Sequence, residues 1–152
     1  MIKEIEGDLI ELALAGEFDV IAHGTNCFCL QGKGIALQMR KTFGTNEYEK
    51  EDNQYLGDIN KLGQIQYVFR KTIITGELVA VVNAYTQYEP GKNLDYEALT
   101  LCLRKINHKF RGKHIGLPRI GCGIAGGDWE TVRKIIEKEL KDCDVTIVNY
   151  VK

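Results

Sequence analysis

The sequence predicts an α/β domain with a mostly parallel sheet that is covered by helices on both faces. Short apolar segments typical of buried strands alternate along the chain with segments whose apolar residues recur at helical spacing. Such alternation favours parallel strands joined by helical crossovers. The 152 residues contain no internal repeat, low-complexity tract or Pro/Ser-rich linker, so we expect residues 1–152 to form a single domain.

The first third of the chain contains two predicted strands and one clear helix. Alternating apolar and polar residues over Ile2–Ile5 indicate a short edge strand, and residues 8–14 fit a loop followed by a turn of helix. The nearly continuous apolar segment Phe18–Ala22 is typical of a strand with both faces covered. We expect residues 23–33 to form a polar loop that leads into a helix over Gly34–Phe43.

The remainder of the chain includes the two clearest helices. Apolar residues recur at helical spacing through both, and each begins with an aspartate suited to the N-cap, Asp95 or Asp128. In order, the remaining predicted elements are a charged surface helix over 45–55, strands over 64–70 and 78–84, a helix over 95–110, a strand over 114–117, a helix over 128–140 and a strand over 144–150. Ligands of such sheets bind beyond the carboxyl ends of the strands.

Composition and charge restrict the class of protein and of ligand. A hydrophobic content of 44% and a net charge of −1 are typical of a soluble globular domain and argue against a large basic surface for duplex nucleic acid. No apolar run is long enough to cross a bilayer and no signal peptide is visible, so we expect a cytoplasmic protein without a membrane partner. We expect the five cysteines to be reduced, and no set of metal ligands stands out. The sequence therefore predicts no metal or other cofactor, and nothing in it requires more than a monomer.

Two glycine-rich loops each precede a predicted helix, QGKGIA at 31–36 and GCGIAGGD at 121–128. Glycine allows a phosphate to approach the backbone closely, and helix N-termini offer unpaired amides. Two such loops at one edge of the sheet suit a diphosphate held from both sides. Gly121, Gly123 and Gly126 also match the G-x-G-x-x-G dinucleotide pattern, but only one strand follows them, and it lacks a ribose-binding acid.

Several motifs resemble those of the macrodomain family, and the resemblance extends over almost the whole chain. They are GDL at 7–9, AHGTNC at 22–27, the first glycine loop, VNAYTQ at 82–87, and LPRIGCG at 117–123 followed by Asp128 and Trp129. The last is the most specific and resembles the subgroup related to ADP-ribose-1″-phosphate phosphatases and terminal ADP-ribose glycohydrolases. The resemblance implies a three-layer α/β/α sandwich around a mixed sheet, and a domain that binds ADP-ribose or a derivative.

The resemblance also implies roles for individual residues. Asp8 would accept a hydrogen bond from the adenine amino group, with the amide of Leu9 nearby. Tyr150 would stack near the adenine, and Asn26 would contact the distal ribose. The backbone of two loops would bind the phosphates, namely Gly32, Lys33, Gly34 and Ile35 in the first, and Gly121, Cys122, Gly123, Ile124, Ala125 and Gly126 in the second.

Structural roles stay open for several of these residues. Asp8 also suits the cap of a turn, and Tyr150 ordinary packing. Lys33 fits either a surface residue or an additional phosphate contact. We expect Cys122 to be packed rather than nucleophilic, because no paired base is marked in the sequence, and Trp129 to anchor its helix in the core.

The chemistry depends on further residues. The glycohydrolase branch has a lysine in the segment corresponding to Asn83–Gln87, which here contains none, and an aspartate where this chain has Ala125. We therefore favour hydrolysis of the terminal phosphate of ADP-ribose-1″-phosphate. His23 would act as general base or electrostatic partner, and Asp128 would position or activate water. A neutral, hydrogen-bonded His23 and an N-capping Asp128 are the structural alternatives.

Two other functions stay open from the sequence. One is a non-catalytic module that reads ADP-ribose on proteins or nucleic acid. The other is a glycohydrolase that reverses ADP-ribosylation with an unusual catalytic set. The expected ligands are thus ADP-ribose, ADP-ribose-1″-phosphate or ADP-ribosylated macromolecules.

Overall fold

The computed structural model describes residues 2–28, 30–45, 57–72 and 74–150. These residues form six strands, four α-helices and one 3₁₀ turn. In chain order they are β1 (Ile2–Gly7), α1 (Leu9–Leu14), β2 (Val20–Asn26), α2 (Gly34–Phe43), the 3₁₀ turn (Ile59–Lys61), β3 (Ile65–Lys71), β4 (Leu78–Gln87), α3 (Tyr96–Lys109), β5 (His114–Leu117), α4 (Trp129–Glu139) and β6 (Asp144–Tyr150). Apart from Thr45, the surface helix predicted over 45–55 lies outside the described residues.

The six strands form one sheet in the order β1-β6-β5-β2-β4-β3. Neighbouring strands pair in parallel except β3, which is antiparallel to β4. A tight turn explains this exception, because the amide of Thr72 donates to the carbonyl of Glu77 at 2.8 Å and leaves no room for a crossover. The prediction of a mixed, mostly parallel sheet is confirmed.

Helices cover both faces of the sheet, as neighbouring residues of β2 illustrate. Val20 packs with residues of α3 and α4, such as Leu99 and Ile136, in one apolar cluster. Ile21, which points the opposite way, packs with residues of α1 and α2, such as Met39, in a second cluster. The three-layer α/β/α sandwich is therefore confirmed. None of the helices in the described residues is long and apolar enough to span a membrane.

The helix boundaries follow from capping groups in the sequence. The carboxylate of Asp95 accepts a hydrogen bond from the amide of Ala98 at 3.0 Å, and α3 begins one residue after that aspartate. The segment 8–14, predicted as a loop followed by a turn of helix, forms α1 directly behind its own capping residue, Asp8. Helix α2 ends at Gly44, whose φ of 64° places it in the left-handed conformation that glycine tolerates at a C-terminus.

Two strands run further than the sequence predicts. β2 continues through residues 23–26, which were expected to belong to a loop, and β4 continues to Gln87. Each lies inside the sheet, and residue pairs such as His23 with Asn83 keep the ladder between them intact. The polar side chains suggested a loop, but backbone pairing with β4 extends the strand through residues 23–26 whatever the side chains.

Gly116 provides a test of packing between β5 and α1. A Cβ atom added there would lie 2.8 Å from the ring of Phe18 and 2.9 Å from Cδ1 of Leu9, closer than real Cβ atoms approach. We expect Gly116→Ala to lower the free energy of unfolding by about 1–3 kcal/mol, as overpacked core substitutions do. Chemical denaturation measures the change. Gly32→Ala is the matched control because an added Cβ there meets no atom within 4 Å; equal stabilities of the two variants would contradict the packing.

Candidate functional site

The carboxyl ends of five parallel strands lie along one edge of the sheet. The strands are β1, β6, β5, β2 and β4. Tyr150 at the end of β6 pairs in register with Gly7 at the end of β1, so the predicted adenine residues Asp8 and Tyr150 come from adjoining strand ends. Tyr150 is 71% exposed, and its ring is therefore accessible rather than packed in the core. The side chain of Leu9 is buried beneath this corner at the start of α1.

The two glycine-rich loops are in contact at this edge. A Cβ atom added at Gly34 in the first loop would lie 3.4 Å from Cδ1 of Ile124 in the second. Ile124 remains 55% exposed, so its side chain lies across the first loop rather than in the core. Gly34, Gly121 and Gly126 have φ values of 59°, 75° and 76°, a conformation that side chains with a Cβ rarely adopt. The structure thus brings together the two predicted phosphate-binding loops.

Both loops present backbone amides without acceptors. In the second loop the amides of Gly123, Ile124 and Ala125 donate to no group within the described part of the chain. In the first loop the same holds for Gly32 and Lys33, and Lys33 does not cap α2 with its side chain. Unpaired amides at the start of a helix attract anions through hydrogen bonds and the helix dipole. The arrangement suits a ligand that carries two adjacent phosphates.

The two predicted carboxylates of the site cap helices. Asp8 Oδ1 accepts from the amides of Ile10 and Glu11 at 2.9 and 3.2 Å, whereas its Oδ2 has no partner among the described residues. Asp128 Oδ2 accepts from the amide and the hydroxyl of Thr131 at 3.0 and 2.7 Å. The hydrogen bonds from Thr131 lower the pKa of Asp128, so this exposed carboxyl is ionised at neutral pH. Capping is thereby observed for both, while their roles toward a ligand stay predictions.

Asn26 organises the turn that leads from β2 to the first glycine loop. Its Oδ1 accepts from the amides of Phe28 and Leu30 at 3.0 and 3.3 Å, and its Nδ2 donates to the carbonyl of Leu30 at 3.0 Å. The side chain is 6% exposed. Asn26 therefore lies at the predicted place beside the loop. Its contact with the distal ribose stays a prediction.

His23 is wholly buried and belongs to a polar network beneath the first loop. Its Nε2 lies 2.5 Å from Oδ1 of Asn83, whose Nδ2 donates to the carbonyl of Thr45 at 3.0 Å. The Thr45 hydroxyl in turn donates to Oε1 of Gln31 at 2.8 Å. Because Asn83 offers its oxygen, His23 donates through Nε2 and keeps Nδ1 as an acceptor, for which the described residues provide no partner.

Burial decides the charge of this histidine. Desolvation lowers the pKa of His23 to about 4, against the opposing effect of the hydrogen bond to Asn83. The imidazole is therefore neutral near pH 7, which agrees with the alternative of a neutral, hydrogen-bonded histidine. Its predicted part in catalysis is not tested by this geometry. Sequence analysis missed the partner Asn83, although a lone asparagine inside the apolar segment 78–84 was a usable signal.

Cys122 and Trp129 lie next to the second loop. Burial raises the pKa of the Cys122 thiol, which makes it a weak nucleophile at neutral pH and agrees with the packed role expected for it. Trp129 is only half-buried and packs on the core edge, where the guanidinium of Arg119 lies 5.0 Å from its ring centroid. Among the described residues, no three His, Cys, Asp or Glu side chains form a group able to hold a metal ion.

The pKa of His23 predicts how stability depends on pH. An unfolded histidine with a pKa of 6.5 takes up a proton that the folded one, with a pKa of about 4, does not bind in this interval. Stability contributed by neutral His23 is therefore complete above pH 6.5 and lost as the pH falls toward 4. Between pH 6.5 and about pH 5 the loss amounts to about 2 kcal/mol.

Urea unfolding across this pH range measures the effect. We expect the unfolding free energy of His23→Asn, which cannot titrate there, to fall less steeply than that of the wild type. Both proteins carry the same carboxyl groups, so their common acid sensitivity cancels in the difference. Parallel curves for the two proteins would contradict a depressed His23 pKa.

Comparison with known proteins agrees with this architecture. A family model for the Macro domain matches residues 22–136. The chain is 36% identical to an uncharacterized 17.5 kDa protein of the tk-vs intergenic region of Enterobacteria phage T4, over 99% of this chain and 97% of the relative. It is 27% identical to the human ADP-ribose glycohydrolase OARD1, over 98% of this chain and 90% of that protein.

A solved structure gives the same result for the fold. The macrodomain of Thermus aquaticus DarG superposes with a TM-score of 0.75 at 22% identity, over 100% of this chain and 99% of the other. At that identity the likeness concerns the fold alone. Together with the family match over most of the sequence, it leads to one conclusion: the chain belongs to the macrodomain family.

Proposed function

We propose that this protein binds ADP-ribose derivatives through the two glycine-rich loops and hydrolyses the bond that joins a substituent to the distal ribose. The observation that carries the proposal is the contact between the loops, with Gly34 against Ile124, beside unpaired amides on both sides. Asp8 and Tyr150 suit the adenine end because they lie on adjoining strand ends. Asn26, beside the first loop, suits the distal ribose.

The leading reaction is removal of the terminal phosphate from ADP-ribose-1″-phosphate by water. In this proposal Asp128 activates the water. His23 is neutral and wholly buried, so we assign it the positioning of the first loop through Asn83 rather than direct contact with the substrate.

A glycohydrolase reaction is the second candidate, favoured by the similarity to human OARD1, an ADP-ribose glycohydrolase. Here hydrolysis would release a macromolecule instead of phosphate from the same position of the distal ribose. Both reactions release ADP-ribose, so the same site suits either reaction. The reactions differ in the group that leaves the distal ribose, a phosphate or a macromolecule. A reader module would bind the same ligand without turnover.

Binding is tested first, by calorimetric titration with ADP-ribose and with AMP as the comparison ligand. We expect saturable micromolar binding that prefers ADP-ribose. Asn26→Ala should weaken it about tenfold or more, because three hydrogen bonds that shape the entry to the first loop are lost. Thermal unfolding of the variant is the control for folding. Unchanged affinity in a folded variant would refute the placement of the pocket.

Turnover is tested with ADP-ribose-1″-phosphate, ADP-ribosylated protein and ADP-ribosylated DNA, with released ADP-ribose measured by chromatography. Asp128→Asn separates the two roles of this residue, since asparagine is an equally good N-cap but a poor base. We expect unchanged stability and a fall in turnover of about 100-fold or more, the usual contribution of general base catalysis. Full activity of Asp128→Asn would refute the base, and a wild type inactive on all three substrates would leave only a reader.

A further inference from the structure

The turn between β4 and α3 is held in one conformation by side chains within it. Gln87 Nε2 donates to the carbonyls of Glu89 and Gly91 at 2.7 and 2.8 Å. Asn93 Nδ2 donates to the carbonyl of Pro90 at 2.9 Å. The turn therefore presents Lys92, one of its exposed residues, from a fixed backbone.

This turn is joined to the second glycine loop. The amide of Leu94 donates to the carbonyl of Ala125 at 3.2 Å. The side chain of Leu94 also fills the space over Gly121, where an added Cβ would lie 2.8 Å from its Cδ1. Residues far apart in sequence thus form one surface at the carboxyl edge of the sheet.

The stem of Lys92 lies directly over Gly126 of that loop. A Cβ atom added at Gly126 would lie 2.8 Å from Cε and 3.0 Å from Cδ of Lys92. Because the Nζ atom is bonded to Cε, the ammonium group lies beside the same loop. The φ of 76° at Gly126 favours glycine, and the lysine side chain crosses this residue.

The charge of Lys92 is not neutralised by a neighbour. Within residues 2–28, 30–45, 57–72 and 74–150, no carboxylate forms an ion pair with it. The adjoining amides of Gly123, Ile124 and Ala125 also lack acceptors. An ammonium group and unpaired amides on one surface are complementary to a phosphate oxygen. Lys33 lies in the first loop and Lys92 lies over the second, so each loop has one lysine in it or beside it. The net charge of the chain is −1.

We propose that Lys92 is a ligand-binding residue that contacts a phosphate group held by the second glycine-rich loop. This inference rests on the proposed function, because it takes ADP-ribose as the ligand. Lys92 adds charge to the second loop, whose own phosphate-binding groups are neutral backbone amides. Its contribution to binding is consequently electrostatic and sensitive to salt.

The test compares wild type, Lys92→Gln, Lys92→Arg and Lys113→Gln by calorimetric titration with ADP-ribose at several NaCl concentrations. Lys113→Gln is the matched control, since it removes the same charge immediately before β5, at the opposite edge of the sheet. We expect Lys92→Gln to raise the Kd about fivefold or more at low salt and to flatten the salt dependence. Lys92→Arg should retain most of the affinity, and Lys113→Gln should equal the wild type.

The outcomes separate this inference from the proposed function. A wild type that does not bind ADP-ribose refutes both. A wild type that binds, with Lys92→Gln within twofold of it, refutes only the role of Lys92. A weaker Lys92→Gln with an unchanged salt dependence also refutes it, because a packing defect would have that signature. Thermal unfolding of Lys92→Gln, whose side chain is exposed, verifies that the variant is folded.

Discussion

A protein that holds phosphates with backbone amides must leave those amides unpaired, and the two glycine-rich loops meet this constraint together. Helix and sheet hydrogen bonds occupy most of the backbone elsewhere, whereas the amides at 32–33 and 123–125 donate to no group within the described part of the chain. Positive φ values at Gly34, Gly121 and Gly126 allow that conformation. The parallel strands serve the site by ending at the same edge, which brings the loops into contact.

The interior beneath the first loop is polar, and it is connected to that loop. His23, Asn83, Thr45 and Gln31 form a chain of hydrogen bonds from the centre of the sheet to the start of the loop. Burying such groups is unfavourable unless each finds a partner, so the network favours one arrangement of the loop over others. The neutral state of His23 follows from the same burial, because a charged imidazole there would lack compensation.

Local signals predicted most of the fold, and the failures concern contacts between distant residues. Aspartate caps and apolar spacing placed α3 and α4 almost to the residue, and glycines identified both loops. Polar side chains in 23–26 suggested a loop because their partners in β4 are some sixty residues away, as for His23 and Asn83. Lys92 escaped notice for the same reason, since its contact with Gly126 exists only after folding.

The strand order gives the sheet two edges, and β1, which forms one of them, is protected from other chains. Lys3, Glu4 and Glu6 of this strand are all exposed and charged. A strand edge with free backbone groups is a template on which another molecule can add a strand, the first step toward aggregation. Addition of a second copy here would strip water from these charged side chains. Strand β1 thus acts as a safeguard against aggregation as well as an element of the fold.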